Sequence, residues 1–236
     1  MSTTVPTSAS TTVPTSAALP GGLVALPSVY RPQADTRLLA EALAHEELGP
    51  RTDVLEIGTG TGALALHAAR RGADVTAVDV SWPAVATARV NALAHRLPLR
   101  VLHGDFVTRT AGRRFDLVVT NPPYVPAPRA RLPSRGAERA WDAGHDGRLV
   151  IDRICAAAPA LLRGGGVLLM VHSGMCGART TVDRLTGAGL TAEVTARASV
   201  PWGPVLNSRR AWLERQGLAR QAEQWEELVV IRARNL

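Results

Sequence analysis

A doubly wound, mostly parallel α/β sheet of seven strands behind a helical lead-in is the fold this sequence predicts, on three observations. From residue 53 on, short β-branched runs alternate with longer Ala/Leu/Arg stretches of helical spacing, the pattern of parallel strands joined by crossover helices. One such run, at 53–57, opens directly into a glycine-rich turn and a helix start. The 236 residues, 46% hydrophobic and 20% charged, suit one folded domain with appendages and lie far from the composition of a disordered chain.

The elements follow in order. Residues 2–9 read STTVPTSA and residues 10–17 repeat them. Such a segment has little apolar surface to offset the entropy of ordering it, so residues 1–22 are expected to form a disordered tail ahead of a single domain at 23–236. A lead-in helix over 35–47 places Leu38, Leu39, Ala42 and Leu43 on one face. Strands are predicted at 54–57, 75–80, 99–102, 116–120, 166–171, 191–198 and 228–232. Helices are predicted at 62–71, 82–95, 146–162, 178–187 and 208–221.

The net charge of +7 would ordinarily point to nucleic acid. All 27 cationic side chains are arginine, however, and they scatter from Arg31 to Arg234 with no run of five like charges, so charge alone does not favour a nucleic-acid partner. Cys155 and Cys176 are too few for a disulfide framework and lack CxxC spacing, which makes a reducing cytoplasm the simplest setting. The N-terminus lacks the basic and apolar regions of a secretory signal, and no apolar stretch is long enough to span a bilayer. The six histidines show no metal-ligand or triad spacing, so no metal is expected.

The turn at 58–62 carries Gly58, Gly60 and Gly62, which allow backbone to approach a ligand at a helix N-terminus. Glycines alone would equally suit a dinucleotide. Glu56 discriminates, because a carboxylate two residues before the first glycine repels a pyrophosphate but suits a ligand bearing an ammonium and a sulfonium, which favours S-adenosylmethionine. Asp79, at the end of the second strand, is placed to accept ribose hydroxyls from either cofactor. Asp105 follows the third strand, where it can accept an adenine amino group while Phe106 packs on the ring.

The fourth strand runs into Asn121-Pro122-Pro123-Tyr124 at the crevice where open α/β sheets hold ligands. The paired prolines fix two φ angles and keep the preceding backbone extended, so the Asn121 side chain and the Pro122 carbonyl are expected to converge on one planar NH2 group. Tyr124 can stack on its flat face. An amide or exocyclic amine nitrogen is a poor nucleophile until its N–H groups are held and its face is aimed, so positioning replaces a strong base. Any planar NH2 would fit: a protein amide, a nucleic-acid base amino group, or a small-molecule amine or amide.

Together these residues resemble the class I S-adenosylmethionine-dependent methyltransferases, and within them the HemK family of glutamine methyltransferases that modify translation release factors. Val29-Tyr30-Arg-Pro-Gln-Ala-Asp35-Thr36-Arg-Leu-Leu is similar to the VYxPxxDTxLL lead-in of the shorter eukaryotic and archaeal HemK2/Mtq2 branch, and Glu138 to Arg148 resembles the segment after NPPY in that branch. The resemblance implies a Rossmann-like sheet. It implies that Thr36, Glu56, Gly58, Gly60, Gly62, Asp79, Asp105, Phe106 and Asn121 surround the cofactor, and that Asn121, Pro122, Pro123 and Tyr124 hold the acceptor, the glutamine of a Gly-Gly-Gln loop. It also brings in a small activator subunit as a candidate partner, while the length leaves no room for the separate helical domain of bacterial HemK proteins. Trp141, Arg148 and the arginine-rich loop before them, with Arg129, Arg131, Arg135 and Arg139, are candidates for shaping substrate entry; a solvated loop with Trp141 as its packing anchor is the equal alternative. The 199–208 segment and the helix after it have no counterpart in that branch and border the expected mouth.

Overall fold

Val54, Leu55 and Ile57 of β1 (Asp53–Ile57) are buried near the middle of a seven-stranded sheet. The computed structural model describes residues 18–236, so the repeat and most of the expected tail lie outside the described residues. The other strands are β2 (Asp74–Asp79), β3 (Arg100–His103), β4 (Phe115–Thr120), β5 (Leu162–Ser173), β6 (Leu190–Pro201) and β7 (Trp225–Asn235). They lie in the order β3-β2-β1-β4-β5-β7-β6. The first five pair in parallel, and β7 runs antiparallel to both β5 and β6. The sheet is thus mostly parallel, as predicted, with one reversed strand.

Helices α1 (Ala34–Ala44), α2 (Ala63–Arg70), α3 (Trp82–His95), α4 (Phe106–Arg109), α5 (Leu149–Leu161), α6 (Ala178–Gly187) and α7 (Pro204–Arg215) fill the connections. The chain order reverses between β1 and β4, whose ends meet in register at Ile57 and Thr120, and a crevice opens there. The Thr120 hydroxyl donates to the Ile57 carbonyl at 3.0 Å, which ties the two strand ends together below it.

The last strands run longer than predicted, and the reason is one-sidedness. Along β6, partly buried positions alternate with exposed ones, so an apolar-run reading truncates an edge strand whose outer face is wet. The final helix starts at Pro204 rather than 208, because a proline at the first helical turn needs no N–H partner; it stops at Arg215, two residues before Gly217 at φ +69°. Pro20 is buried and Leu19 packs on the core, so packed chain begins ahead of the expected boundary at 23. The backbone of Val24 exchanges hydrogen bonds of 3.0 and 2.9 Å with the buried Asn91 side chain on α3.

Candidate active site

The crevice is a cavity of about 330 Å³, within the range of small-ligand sites. On one side stands the glycine turn. Gly62 caps α2 at φ +80°, and a Cβ there would meet the Ala88 Cβ at 3.3 Å, so both conformation and packing demand glycine. The turn is held by carboxylates. Glu56 accepts from the Thr59 hydroxyl and from the Ala65 amide, the latter at 3.2 Å. Asp79 accepts from the Gly60 amide at 3.0 Å and from the Ser81 amide at 2.8 Å.

Burial raises both groups: Glu56 is pushed up to about 8, and Asp79 is raised, with the Gly60 and Ser81 amides opposing. A cation entering the cavity would favour the ionised form of Glu56. The site therefore suits a ligand with a positive centre, which S-adenosylmethionine has and a pyrophosphate lacks. Phe106 is buried at the cavity wall with the Arg153 guanidinium 5.4 Å from its ring centroid. Asp105 caps α4 through the Val107 amide at 3.1 Å and pairs with Arg153 at 2.7 Å. Each of its oxygens already has a donor, so an adenine amino group there would share them.

On the other side, Asn121 donates its Nδ2 to Asp35 Oδ2 at 2.9 Å and to the Thr36 hydroxyl at 3.3 Å. Tyr124 is buried, and its hydroxyl donates to the same Asp35 oxygen at 3.0 Å. The Tyr124 carbonyl accepts from Cys176 Sγ at 3.1 Å. Behind it lies Gly147, at φ +73°, where a Cβ would fall 2.3 Å from that carbonyl. The NPPY segment is thus clamped from both faces.

The methyltransferase small domain family matches residues 23–132. A putative protein N5-glutamine methyltransferase of Methanocaldococcus jannaschii is 33% identical over 177 residues, 75% of this chain and 88% of that protein. The chain belongs to the HemK family of S-adenosylmethionine-dependent methyltransferases. The mouse methyltransferase HEMK2 is 35% identical over 64% of this chain and 74% of its own length. A Bordetella pertussis release factor glutamine methyltransferase is 39% identical, but the match spans only 57% of it. Among solved structures, the Mtq2 chain of the E. cuniculi Mtq2–Trm112 complex shares the fold, with a TM-score of 0.62 at 21% identity over 89% of this chain and 99% of that one.

In this HemK-family cavity the sequence-predicted residues Thr36, Glu56, Gly58, Gly60, Asp79, Asp105, Phe106, Asn121, Pro122, Pro123 and Tyr124 all line the wall. Gly62 does not; it shapes the turn from behind. Trp141 lines the mouth, but Arg148 is a buried brace that donates to the Gly177 carbonyl at 3.2 Å, the Thr181 hydroxyl at 3.1 Å and Asp152 at 2.7 Å. Its expected place at substrate entry is therefore corrected. Of the arginines after the clamp, Arg139 reaches the wall, while Arg129, Arg131 and Arg135 are exposed. His172 and Cys176 are buried and line no part of the cavity; burial pushes His172 down to about 4 and raises the Cys176 thiol.

Sequence reasoning gave Asp35 and Tyr30 no place in the site, although both stand in the lead-in motif that resembles the HemK2/Mtq2 branch; the hydroxyls of Tyr30 and Tyr124 converge on Asp35. The unmatched 199–222 segment also finds its place. Trp202, Leu206 and Leu213 form a small core with Val125 and Met175 beside the mouth. Arg209 of α7 pins the chain after NPPY, through the Pro126 carbonyl at 2.9 Å and Asp142 at 2.6 Å.

Proposed function

We propose that this methyltransferase acts on the side-chain amide nitrogen of a protein glutamine, the glutamine of a Gly-Gly-Gln loop in a translation release factor. The observation that carries the reading is the orientation of Asn121. Its Nδ2 is committed to Asp35 and Thr36, which leaves its Oδ1 as an acceptor for an NH2 group at the cavity. Relatives named as glutamine methyltransferases, in an archaeon and in bacteria, support the amide as the acceptor.

When bound, S-adenosylmethionine supplies an electrophilic methyl group on a sulfonium centre. Of the residues lining the cavity, Glu56 would favour its positive charge, Asp79 would accept its ribose hydroxyls, Gly58 and Gly60 would let backbone come close, and Asp105, Phe106 and Thr36 would border its adenine and methionine parts. Asn121 Oδ1 and the Pro122 carbonyl each accept one N–H of the incoming amide, Tyr124 packs on its plane, and Pro123 keeps the strand end rigid. Holding both N–H groups orients the nitrogen, and orientation is the main contribution to rate. The methylated nitrogen then carries one proton too many and releases it to solvent, so no protein base is required.

A release-factor substrate implies a cytoplasmic setting, and no described helix is long and apolar enough to cross a membrane. The E. cuniculi neighbour was solved with Trm112, so a small activator subunit joins the proposal. The deciding experiment incubates the purified protein, alone and with a candidate small subunit, with labelled S-adenosylmethionine and a release factor, followed by peptide mass spectrometry. One methyl group on the Gly-Gly-Gln glutamine is the expected result. Label found only in nucleic acid or in small molecules would overturn the protein acceptor.

A further inference from the structure

Asp35 sits on α1, ahead of the first strand, yet it is the centre of the acceptor clamp. It is 4% exposed. Its Oδ2 accepts from Tyr30 at 2.8 Å, Asn121 Nδ2 at 2.9 Å and Tyr124 at 3.0 Å. Its Oδ1 accepts from the Thr36 amide at 2.6 Å and the Thr36 hydroxyl at 3.1 Å. A carboxylate offers about four lone-pair sites, and five donors already claim them. Such a group has no capacity left to bind an acceptor or to take its proton. It can only act through the groups it holds.

What it holds matters. The Thr36 hydroxyl gives its one proton to Asp35 and so must be the acceptor for Asn121. Reversing the Asn121 amide would set its oxygen against the Asp35 oxygen and the Thr36 hydroxyl oxygen, two acceptors with no proton between them. The carboxylate therefore selects the rotamer in which Asn121 Oδ1 faces the cavity, and the same oxygen anchors Tyr124. We infer that Asp35 is the positioning residue of this methyltransferase, fixing which end of the Asn121 amide meets the acceptor nitrogen and where the Tyr124 ring stands. The inference rests on Asn121 as the acceptor-holding residue and holds for any planar NH2.

The test exchanges donor and acceptor across the 2.9 Å contact. Asp35→Asn is expected to lower kcat about 100-fold, as a misplaced holding group does, with the Kd for S-adenosylmethionine within about 3-fold of wild type. In the double variant Asp35→Asn/Asn121→Asp the donor sits on the other partner and an acceptor oxygen again faces the cavity, while the Tyr30 and Tyr124 hydroxyls lose the oxygen they donate to, so activity should recover in part, by at least about 10-fold over Asp35→Asn. A double variant no better than the weaker single, or a Kd that rises in step with the loss of activity, would overturn the inference. A readout free of turnover guards against misfolding and against a wrong acceptor: hydrogen exchange at the Asn121 side-chain amide, assigned by its disappearance in Asn121→Asp. Protection in the wild type that is lost in Asp35→Asn is expected, and unchanged protection would refute the role of Asp35. If the wild type leaves the release factor unmethylated, the proposed substrate fails while the exchange measurement still decides the role of Asp35.

Discussion

On the cavity wall proposed to hold the cofactor, Glu56 bonds to Thr59 and Ala65, partners no more than nine residues away. On the wall proposed to hold the acceptor, Asn121 and Tyr124 bond to Asp35, 86 and 89 residues away in the chain. The first half is a local device, a strand, a turn and a helix start that hold one another. The second is assembled by the fold from the lead-in, the end of β4 and, further out, the Arg209 strap of α7. A local device can keep binding cofactor when the distant half is damaged, and that separation is open to measurement.

The largest expected effect separates the halves outright. Asn121→Ala removes one of two acceptors for the NH2 group and should lower kcat about 10²–10³-fold, while calorimetric titration finds cofactor affinity largely kept. Loss of cofactor binding in this variant would break the division between the halves. Asp79→Ala should do the reverse: losing charge-assisted hydrogen bonds of about 3 kcal/mol weakens cofactor binding about a hundredfold, with kcat at saturating cofactor changed far less.

Gly147→Ala probes the packing behind the clamp. Its Cβ would fall 2.3 Å from the Tyr124 carbonyl at a φ of +73°, and the backbone there cannot yield cheaply. A loss of about 2–4 kcal/mol is expected, read as a Tm lowered by about 5–15 °C in a chain of this size. An unchanged Tm would mean that the 144–148 segment is looser than its contacts indicate.

The smallest effect is a pH dependence. Glu226, at the start of β7, is buried and pushed up to about 7 by burial, with the Asp35 charge adding to the shift and Ser173 opposing it. The folded protein then binds more protons than the unfolded chain between the ordinary glutamate value and about 7. This contribution to stability is fully present below pH 4.5 and is lost as the pH rises to about 7. Glu226→Gln should flatten that part of the denaturation profile, gaining about 2 kcal/mol over wild type at pH 8 and little at pH 4.5. Glu56, pushed up to about 8, acts in the same direction and leaves a residual slope. His172, pushed down to about 4, opposes this slope in the wild type, so the variant-minus-wild-type difference is the readout: a Glu226→Gln profile that stays parallel to the wild type between pH 5 and 8 would contradict the burial of this carboxyl.

Legibility tracked locality. The parallel strands 54–57, 75–80 and 116–120 were readable because both of their faces are covered and their apolar runs are continuous. The β6–β7 pair was underestimated because one face of β6 is wet. In the site, Glu56, Asp79 and the NPPY residues could be named from spacing alone. Arg148 was misread, since nothing in its local sequence says that its guanidinium turns inward to meet Cys176, Gly177 and Thr181.

By itself the sequence determined the fold class and the residue types on both walls of the cavity, because each is written in neighbouring residues whose geometry the backbone fixes. Only the tertiary structure decided which way the Asn121 amide points, that both tyrosines and Asp35 form one network, and that α7 straps the chain after the clamp. Apart from the Tyr30–Asp35 contact, those facts depend on side chains far apart in the sequence, Asp35 being 86 and 89 positions from Asn121 and Tyr124 and Arg209 83 from Pro126. Hydrogen-bond direction there is set by which donors and acceptors the packed sheet places face to face, and no spacing rule along the chain records it.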